Sequence, residues 1–496
     1  NGGAITTSST QTYGDAVVLS ADTTLTTTDS NITFGATIDS DSTARDLTLT
    51  LGSGSASVTG IVGTTSLDVL TLNSSATFTA AVTATSIVNA ANKTATFSDD
   101  LTAAVTNSGG LLFNHTGSGA TVDITYTAGG ADIIRVEDTQ DNVAPAVVTF
   151  ANGINATALR VGALDGSKGG RVLFAEAVTI STVTVIGGNH VDEDSSVTFN
   201  KAVTSSSGIT LDDNTGDAKI IFAENNSVNI TGTINGASTN EGTIQVTGAT
   251  KTFKSVIGST SVGTLNIDAT PVFESTVAAT TIDIAGSITA TFNDAITATT
   301  IALNGSSTLT IAYTGAITVA GNITDTGDSN EINVLFATAD TAPSLVTFSG
   351  AAIAADTINI GSTTAAGKVT FTGLTGVTAG ALNVTGGNHA DEDSTATFND
   401  DLTATIVLDP NLGFAQLIFA TANDATITGT INGVSAGAGS IKVTGATKTF
   451  ANVIGGSNPL NTIDIDGTGI FNAVVSATNI DNDGTATFKS DVTAAT

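Results

Sequence analysis

Apolar and polar residues alternate along much of this chain, and the pattern is clearest over residues 271–305. Two consecutive segments there read PVFESTVAATTIDIAG and TATFNDAITATTIALNG, and they align at a spacing of nineteen residues. Alternation with a period of two predicts β-strands that carry their apolar side chains on one face. Polar, turn-forming pairs such as Asn293-Asp294 and Asn304-Gly305 interrupt the alternation, so each unit holds about three short strands.

A unit of this size cannot bury its own apolar face, but copies stacked on one another can. We therefore predict an all-β fold, a parallel β-solenoid (β-helix) with about 19–22 residues per coil. The phenylalanines are predicted to form the core, because they are in phase with inward Ala, Ile and Val. The alignment also predicts which residues of neighbouring coils lie above one another: Phe273 and Phe292, Val277 and Ile296, Ala279 and Ala298, Ile282 and Ile301, Ile284 and Leu303.

A longer repeat is superimposed on the coils. Residues 61–72 (IVGTTSLDVLTL) recur at 256–267 (VIGSTSVGTLNI), and GGNHVDEDS at 187–195 recurs as GGNHADEDS at 386–394. We predict one continuous solenoid domain with these parts: a partial super-repeat (1–60), two full super-repeats (61–255 and 256–452) and a second partial one (453–496). Because the sequence starts and stops inside a super-repeat, we expect each end to meet more of the same protein, by continuation or by head-to-tail stacking.

Two stretches are predicted to be loops inserted at turns, residues 162–170 and residues 315–341, because the spacing of the phenylalanines widens around them. A glycan-binding protein would be expected to show exposed aromatic residues on such insertions. Beyond Tyr126 and Tyr313 the sequence offers none, which argues against a glycan-binding adhesin.

Charge and composition narrow the range of functions. The chain of 496 residues has 45 acidic against 14 basic side chains, a net charge of −31, and it contains no Cys, Met or Trp. Such an acidic surface argues against binding to nucleic acid or anionic lipid, and the absence of Cys excludes disulfides and thiol chemistry. No apolar run is long enough to cross a bilayer, so we predict no membrane insertion within this chain.

The repeated blocks also carry a resemblance to known proteins. Their pattern follows TATFNDAITATTIALNG in a sequence rich in Thr, Ala, Gly and Asn, at residues 76–86, 94–104, 196–206, 289–305, 395–405 and 485–495. In this pattern the chain resembles the repeat regions of filamentous-haemagglutinin-type bacterial surface proteins. It is also similar to the passenger regions of large rickettsial-type outer-surface antigens. The resemblance implies a single-stranded right-handed parallel β-helix that is exported to the bacterial cell surface, although the sequence holds no secretion or capping domain of the kind those families carry.

The candidate binding residues lie in the two GGNHxDEDS blocks. Each block places three consecutive acids beside a histidine: Asp192, Glu193 and Asp194 near His190, and Asp391, Glu392 and Asp393 near His389. Clustered carboxylates suit Ca²⁺, so these six acids are the candidate site for a divalent cation. Histidine is a poor Ca²⁺ ligand, however, and the spacing matches no EF-hand loop. The alternative is an exposed, solvated turn that was duplicated together with its block. No other cofactor is predicted.

No catalytic residue is predicted, and we expect that the protein is not an enzyme. A glycan-cleaving β-helix needs clustered acids and bases beside a surface on which sugars stack, whereas this chain has no Trp, three Tyr and three His. Thr-x-Thr patterns invite an ice-binding interpretation, but they are irregular, and outward Thr is ordinary on a half-buried strand.

Two functions of different classes remain. The first is a structural extracellular protein, a rigid β-solenoid segment that associates with itself into a homopolymer or lattice, such as a bacterial surface fibre, sheath or surface layer. The alternative is the stalk or passenger region of a bacterial adhesin, which would present a site for a host or cell-surface ligand. The structural protein is the leading hypothesis, and the adhesin is the alternative.

Overall fold

The computed structural model describes residues 3–115, 120–128, 132–138, 144–338, 341–420 and 423–495. In this described part the chain is all β, with 52 strands and no helix, and its parallel strands stack as a β-solenoid of about 20 turns. The predicted fold class is therefore confirmed. The chain divides into two compact units, Asn1–Gly263 (unit 1) and Thr264–Thr496 (unit 2), and each is described by itself.

The strands of unit 1 are short, mostly three to nine residues long, and they include β29 (Ile257–Ile267), which extends past the end of the unit. The others are β1 (Ala4–Thr7), β2 (Gln11–Tyr13), β3 (Val17–Leu19), β4 (Thr23–Thr27), β5 (Ile32–Phe34), β6 (Ile38–Ser40), β7 (Leu47–Thr50), β8 (Ala56–Val58), β9 (Val62–Leu72), β10 (Ala76–Phe78), β11 (Val82–Asn89), β12 (Thr94–Phe97), β13 (Leu101–Asn107), β14 (Gly110–His115), β15 (Ala120–Ala128), β16 (Ile133–Asp138), β17 (Val147–Phe150), β18 (Asn155–Val161), β19 (Arg171–Phe174), β20 (Val178–Ile186), β21 (Ser195–Phe199), β22 (Val203–Thr204), β23 (Gly208–Asp212), β24 (Ala218–Phe222), β25 (Val228–Thr231), β26 (Ile234–Gly236), β27 (Glu241–Val246) and β28 (Lys251–Phe253).

Unit 2 is built in the same way. Its strands are β30 (Pro271–Phe273), β31 (Val277–Ile284), β32 (Thr289–Phe292), β33 (Ile296–Leu303), β34 (Thr308–Tyr313), β35 (Ile317–Asp325), β36 (Glu331–Phe336), β37 (Val346–Ser349), β38 (Ile353–Ile360), β39 (Lys368–Thr372), β40 (Val377–Thr385), β41 (Ser394–Phe398), β42 (Leu402–Asp409), β43 (Ala415–Phe419), β44 (Ala425–Thr428), β45 (Ile431–Gly433), β46 (Ser440–Val443), β47 (Thr447–Phe450), β48 (Leu460–Ile465), β49 (Thr468–Phe471), β50 (Val475–Asn482), β51 (Thr485–Phe488) and β52 (Val492–Ala494).

The register between neighbouring coils follows the sequence alignment. Strands β30 and β32 pair in parallel with Phe273 opposite Phe292, and all four predicted pairs of β31 and β33 lie opposite each other. Coil length is more variable than predicted. The shortest step between paired residues is sixteen residues, from Thr94 to Gly110, and a long one is twenty-nine, from Ile317 to Val346.

Burial alternates along the strands, as the period of two requires; β13, for example, alternates buried and exposed positions throughout. The phenylalanines stack coil on coil inside each unit, with neighbouring ring centroids 4.6 to 6.0 Å apart. Each such ring pair contributes about 0.5–1.5 kcal/mol beyond the area it buries. The predicted phenylalanine core is confirmed inside each unit; the exceptions are Phe414, which is described below, and Phe488 of β51, which is half-buried.

One predicted loop is confirmed and the other is wrong. Residues 162–170 connect β18 to β19 and contain no strand. Residues 315–341, by contrast, contain β35 and β36, which pair with strands on both sides; residues 339 and 340 lie outside the described part. The error arose because Ala, Gly and Asn interrupt the apolar alternation of β35, although their small side chains still fit the stacked coil.

Each unit also buries a lysine in its duplicated VTGATKTF segment. Lys251 is fully buried, and its Nζ donates to the backbone carbonyls of Glu224, Thr247 and Ala249 at 2.5, 3.2 and 2.7 Å. Lys448 is its counterpart in unit 2. Burial lowers the pKa of both amines. The two lysines donate hydrogen bonds to backbone carbonyls of turns, which lie outside the strand pairings, so their role is structural.

Candidate functional site

The two acidic runs occupy equivalent turns, between β20 and β21 in unit 1 and between β40 and β41 in unit 2. Their three acids point in different directions. In unit 1, Asp192 is exposed, Glu193 is buried to 1% exposure, and Asp194 is intermediate. In unit 2, Asp391, Glu392 and Asp393 repeat this order. Three consecutive residues in a tight turn cannot all face one point, so the two runs do not converge as the sequence suggested.

The central acid of each run folds into its own turn. The backbone N–H of Gly188 donates to the carbonyl of Glu193 at 2.9 Å, and Glu193 Oε2 accepts from the N–H of Asn189 at 3.1 Å. A Cβ at Gly188 would lie 2.4 Å from that of Glu193, so the approach of the two backbones requires glycine there. Gly387 and Glu392 repeat the contact in unit 2. These glutamates therefore organise the turn.

The third acid of each run clamps the turn of the next coil. Asp194 Oδ1 accepts from the N–H of Asp217 at 3.0 Å, and Asp393 Oδ1 accepts from the N–H of Phe414 at 2.8 Å. The carbonyl of the clamped residue in turn accepts from the N–H of Ser195 or Ser394, at 2.8 Å in both units. Each clamp thus joins residues more than twenty positions apart and fixes the backbone of the clamped residue.

Within the described residues, no three His, Asp or Glu side chains are grouped so that they could hold a metal ion. His190 Nδ1 lies 3.5 Å from Asp192 Oδ2, and His389 Nδ1 lies 3.9 Å from Asp391 Oδ2, on exposed side chains. The exposed aspartates carry charge that a dissolved cation could screen. Calcium binding at the six predicted acids stays a prediction, because no observation of binding bears on it.

The turn clamped by Asp393 differs from its duplicate in what it exposes. In unit 2 it comprises residues 409–414, which we call the corner turn, and there Leu412 is 69% and Phe414 65% exposed. In unit 1 the same turn, residues 212–217, has Thr215 and Asp217 at these positions. The corner turn is thus an apolar feature that only one of the two duplicates carries.

Sequence reasoning missed Phe414 by assigning every phenylalanine to the core. The alternation itself contained the signal, because Ala415, Leu417 and Phe419 point inward on β43, and Phe414 is out of phase with them by one residue. The tyrosines predicted as exposed aromatic candidates are buried instead. Tyr126 donates to Asp132 at 2.5 Å inside unit 1, and Tyr313 accepts from the N–H of Lys368 at 2.9 Å inside unit 2. Neither tyrosine therefore offers an exposed ring.

A groove of about 360 Å³ lies beside the corner turn. Its floor is a column of outward residues from four successive parallel strands, Thr395, Gln416, Ser440 and Thr462, which stand opposite one another in the pairings. Its remaining lining residues are Asp393, Phe414, Ala415, Ile441, Asn461 and Asp464. The groove therefore combines one exposed aromatic ring with amide, hydroxyl and carboxylate groups.

The charge of this groove is partly neutralised from one side. Lys442 Nζ lies 2.5 Å from Asp464 Oδ2 and 2.6 Å from Asp466 Oδ2, and these hydrogen bonds raise the pKa of Lys442. In the duplicate turn of unit 1, Lys219 replaces Gln416 and Asp217 replaces Phe414. There burial, followed by repulsion from Asp194 and Asp213, raises the pKa of Asp217.

A second groove, of about 480 Å³, lies on a neighbouring face of unit 2. It is lined in part by an asparagine ladder, in which Asn359 donates to Asn333 and Asn383 donates to Asn359, each at 2.8 Å. The equivalent column of unit 1 carries Arg135 and Arg160, and Arg160 pairs with Glu137 at 2.7 Å. In both units, side-chain hydrogen bonds of this column join successive coils.

No family model matches this chain, and no curated protein or solved structure was found to be similar to it. Among the described residues there is also no helix long and apolar enough to span a bilayer. The fold and the grooves therefore carry the functional argument.

Proposed function

We propose that this chain is a structural, non-enzymatic segment of an extracellular bacterial surface protein, a rigid β-solenoid that assembles with further copies into a fibre, sheath or surface layer. The observation that carries the proposal is the continuous core of each unit. Phenylalanine rings and β-branched side chains stack in register from coil to coil. A fold of this kind lengthens by adding further coils to the same core.

The coils at the outer limits of the described chain expose apolar residues in core register. In unit 1, Ile5 is 40% exposed beside a cavity of about 190 Å³ that Tyr13, Leu25 and Phe34 also line. In unit 2, Val492 of the last strand is 43% exposed. These are core positions, and a further parallel coil, from the same chain or from another copy, would bury them and satisfy the free strand edge.

The net charge of −31 opposes such assembly at low ionic strength, because like-charged copies repel one another. Salt or divalent cations would screen the repulsion, which at an ionic strength of 0.1 M decays over a distance of about 10 Å. We therefore expect assembly to depend on ionic conditions, and Ca²⁺ near the exposed Asp192 and Asp391 is one means of promoting it.

The test is sedimentation velocity and negative-stain electron microscopy of the full chain at low and high salt, with and without chelator. We expect end-to-end oligomers or filaments that grow with salt, and we expect Ile5→Asp and Val492→Asp to shorten them. Leu164→Asp, at an exposed side turn of unit 1, is the matched control. Monomers under every condition would contradict the proposal, and filaments that persist in chelator would remove the role of Ca²⁺.

The alternative, an adhesin stalk or passenger region, is favoured by one specific observation, the exposed apolar corner turn. A purely structural rod has no need of Leu412 and Phe414 at a solvated position. Imaging of the native cell surface separates the two functions. A lattice or continuous filament supports the structural function, and isolated stalks with a distinct tip support the adhesin.

A further inference from the structure

We propose that the groove beside the corner turn of unit 2 binds a neutral glycan, with Phe414 as the stacking surface. The proposal goes beyond the structural function, because a fibre subunit and an adhesin stalk can both present such a site. It rests on the aromatic ring, the polar lining, the charge of the groove and the comparison with the duplicated turn of unit 1.

The ring of Phe414 is exposed but its backbone is held in place. The Asp393 carboxylate accepts from its N–H at 2.8 Å, and its carbonyl accepts from the N–H of Ser394 at 2.8 Å. An exposed phenylalanine on a fixed backbone presents apolar surface at little cost in ordering when a ligand binds. The C–H face of a pyranose ring is an apolar surface of matching size.

The lining supplies the groups that recognise sugar hydroxyls. Amides and hydroxyls both donate and accept hydrogen bonds, and carboxylates accept them. Gln416 and Asn461 provide the amides, Thr395 and Thr462 the hydroxyls, and Asp464 a carboxylate. A volume of about 360 Å³ accommodates one or two sugar rings.

The charge of the groove selects against an acidic ligand. Two carboxylates, Asp393 and Asp464, line it, and none of its described lining residues is cationic. The nearby ammonium of Lys442 is already held by Asp464 and Asp466. The two carboxylates would therefore repel a uronate or sulfated sugar, whereas a neutral sugar experiences no such repulsion.

The duplicate in unit 1 shows that the clamp does not require an aromatic residue. The Asp194 carboxylate and the N–H of Ser195 make the same two hydrogen bonds to the backbone of Asp217, yet Asp217 and Lys219 are both charged. The two units therefore share the backbone of this turn, and unit 2 differs in carrying an aromatic residue and the neutral Gln416 on it. Unit 1 consequently provides a control within the same molecule.

The test measures binding of cellopentaose, chitopentaose and mannopentaose to the full chain by titration calorimetry and saturation-transfer NMR, with trigalacturonate as the acidic probe. We expect at least one neutral oligosaccharide to bind with one site per chain and to receive saturation from phenylalanine protons. Phe414→Asp, the residue of unit 1, should weaken binding at least tenfold, and Phe414→Tyr should retain it. Asp217→Ala in unit 1 should leave binding unchanged.

Asp393→Ala separates the clamp from direct contact, because it frees the Phe414 backbone; we expect weaker binding together with faster amide exchange in residues 409–414. The proposal is overturned if no neutral probe binds at millimolar concentration, if trigalacturonate binds best, or if Phe414→Asp binds as well as the parent chain. It is equally overturned if Phe414→Asp reduces self-association without affecting sugar binding, which would make the corner turn a contact between copies. Loss of sugar binding with normal filaments would leave the structural function untouched.

Discussion

The duplicated corners of the two units share a backbone and differ in the side chains that they display. Asp194 and Asp393 make the same clamp, and Gly188 and Gly387 allow the same close approach. At the clamped position, however, unit 1 exposes Asp217 and unit 2 exposes Phe414. The groups that fix the turn are the same in both units, whereas the exposed outward position differs between them.

One set of inward positions differs between the units as a group. Unit 1 buries a polar chain in which Asn89 donates to Asn107 at 2.8 Å, Asn107 donates to Tyr126 at 3.1 Å and Tyr126 donates to Asp132. At the places of the first three, unit 2 has buried apolar residues: Ile284, Leu303 and Ile323. A single polar residue among those apolar ones would lack partners, so each set is consistent only as a whole.

The largest expected effect contrasts a core phenylalanine with the corner phenylalanine of the same unit. Phe398 stacks between Phe371 and Phe419, with centroids 4.7 and 6.0 Å away, and it is 1% exposed. We expect Phe398→Ala to lower the free energy of unfolding by about 3–5 kcal/mol. Phe414→Ala should change it by less than about 0.5 kcal/mol. Hydrogen exchange over unit 2 measures both, and equal losses would contradict the outward assignment of Phe414.

A smaller effect is expected from exchanging the polar residues at one equivalent inner position. Asp132 accepts from the hydroxyls of Tyr126 and Thr157, whereas its counterpart Asn330 accepts from Ser307 and donates to Asp325 at 2.5 Å. Asp132→Asn would leave a hydroxyl facing an amide N–H, and Asn330→Asp would place two carboxylates together. Each should cost about 1–3 kcal/mol, read from hydrogen exchange of its own unit. If either exchange is neutral, the two sets are not constrained as described.

The smallest effect is a difference in pH dependence between two buried equivalents, His115 in unit 1 and Tyr313 in unit 2. Burial lowers the pKa of His115, outweighing the Ser98 carbonyl and nearby aspartates that act in the other direction. Burial raises the pKa of Tyr313 to about 12. The stabilising contribution of His115 is complete above its unfolded pKa of about 6.5 and is lost as the pH falls below it. That of Tyr313 is complete below about pH 10 and is lost as the pH rises toward 12.

Amide exchange measured unit by unit across this pH range checks the assignment. His115→Phe should remove part of the acid-side loss in unit 1, and Tyr313→Phe should remove part of the alkaline loss in unit 2. Because carboxylates titrate in both units, the difference between variant and parent carries the result. Identical pH profiles for His115→Phe and the parent chain would show that the histidine is solvated in the folded protein.

The class of fold, the register of the nineteen-residue coils and the phenylalanine core could be predicted from the sequence, because a period of two and in-phase apolar residues are local properties that stacking repeats. It did not determine what the acidic runs do or which aromatic residue faces solvent. Those depend on hydrogen bonds between turns of different coils, such as the clamp from Asp393 to Phe414, and on where an irregular turn re-enters its strand. Turns lack a fixed period, so the divergence of three neighbouring acids and the outward direction of Phe414 became apparent only from the folded chain.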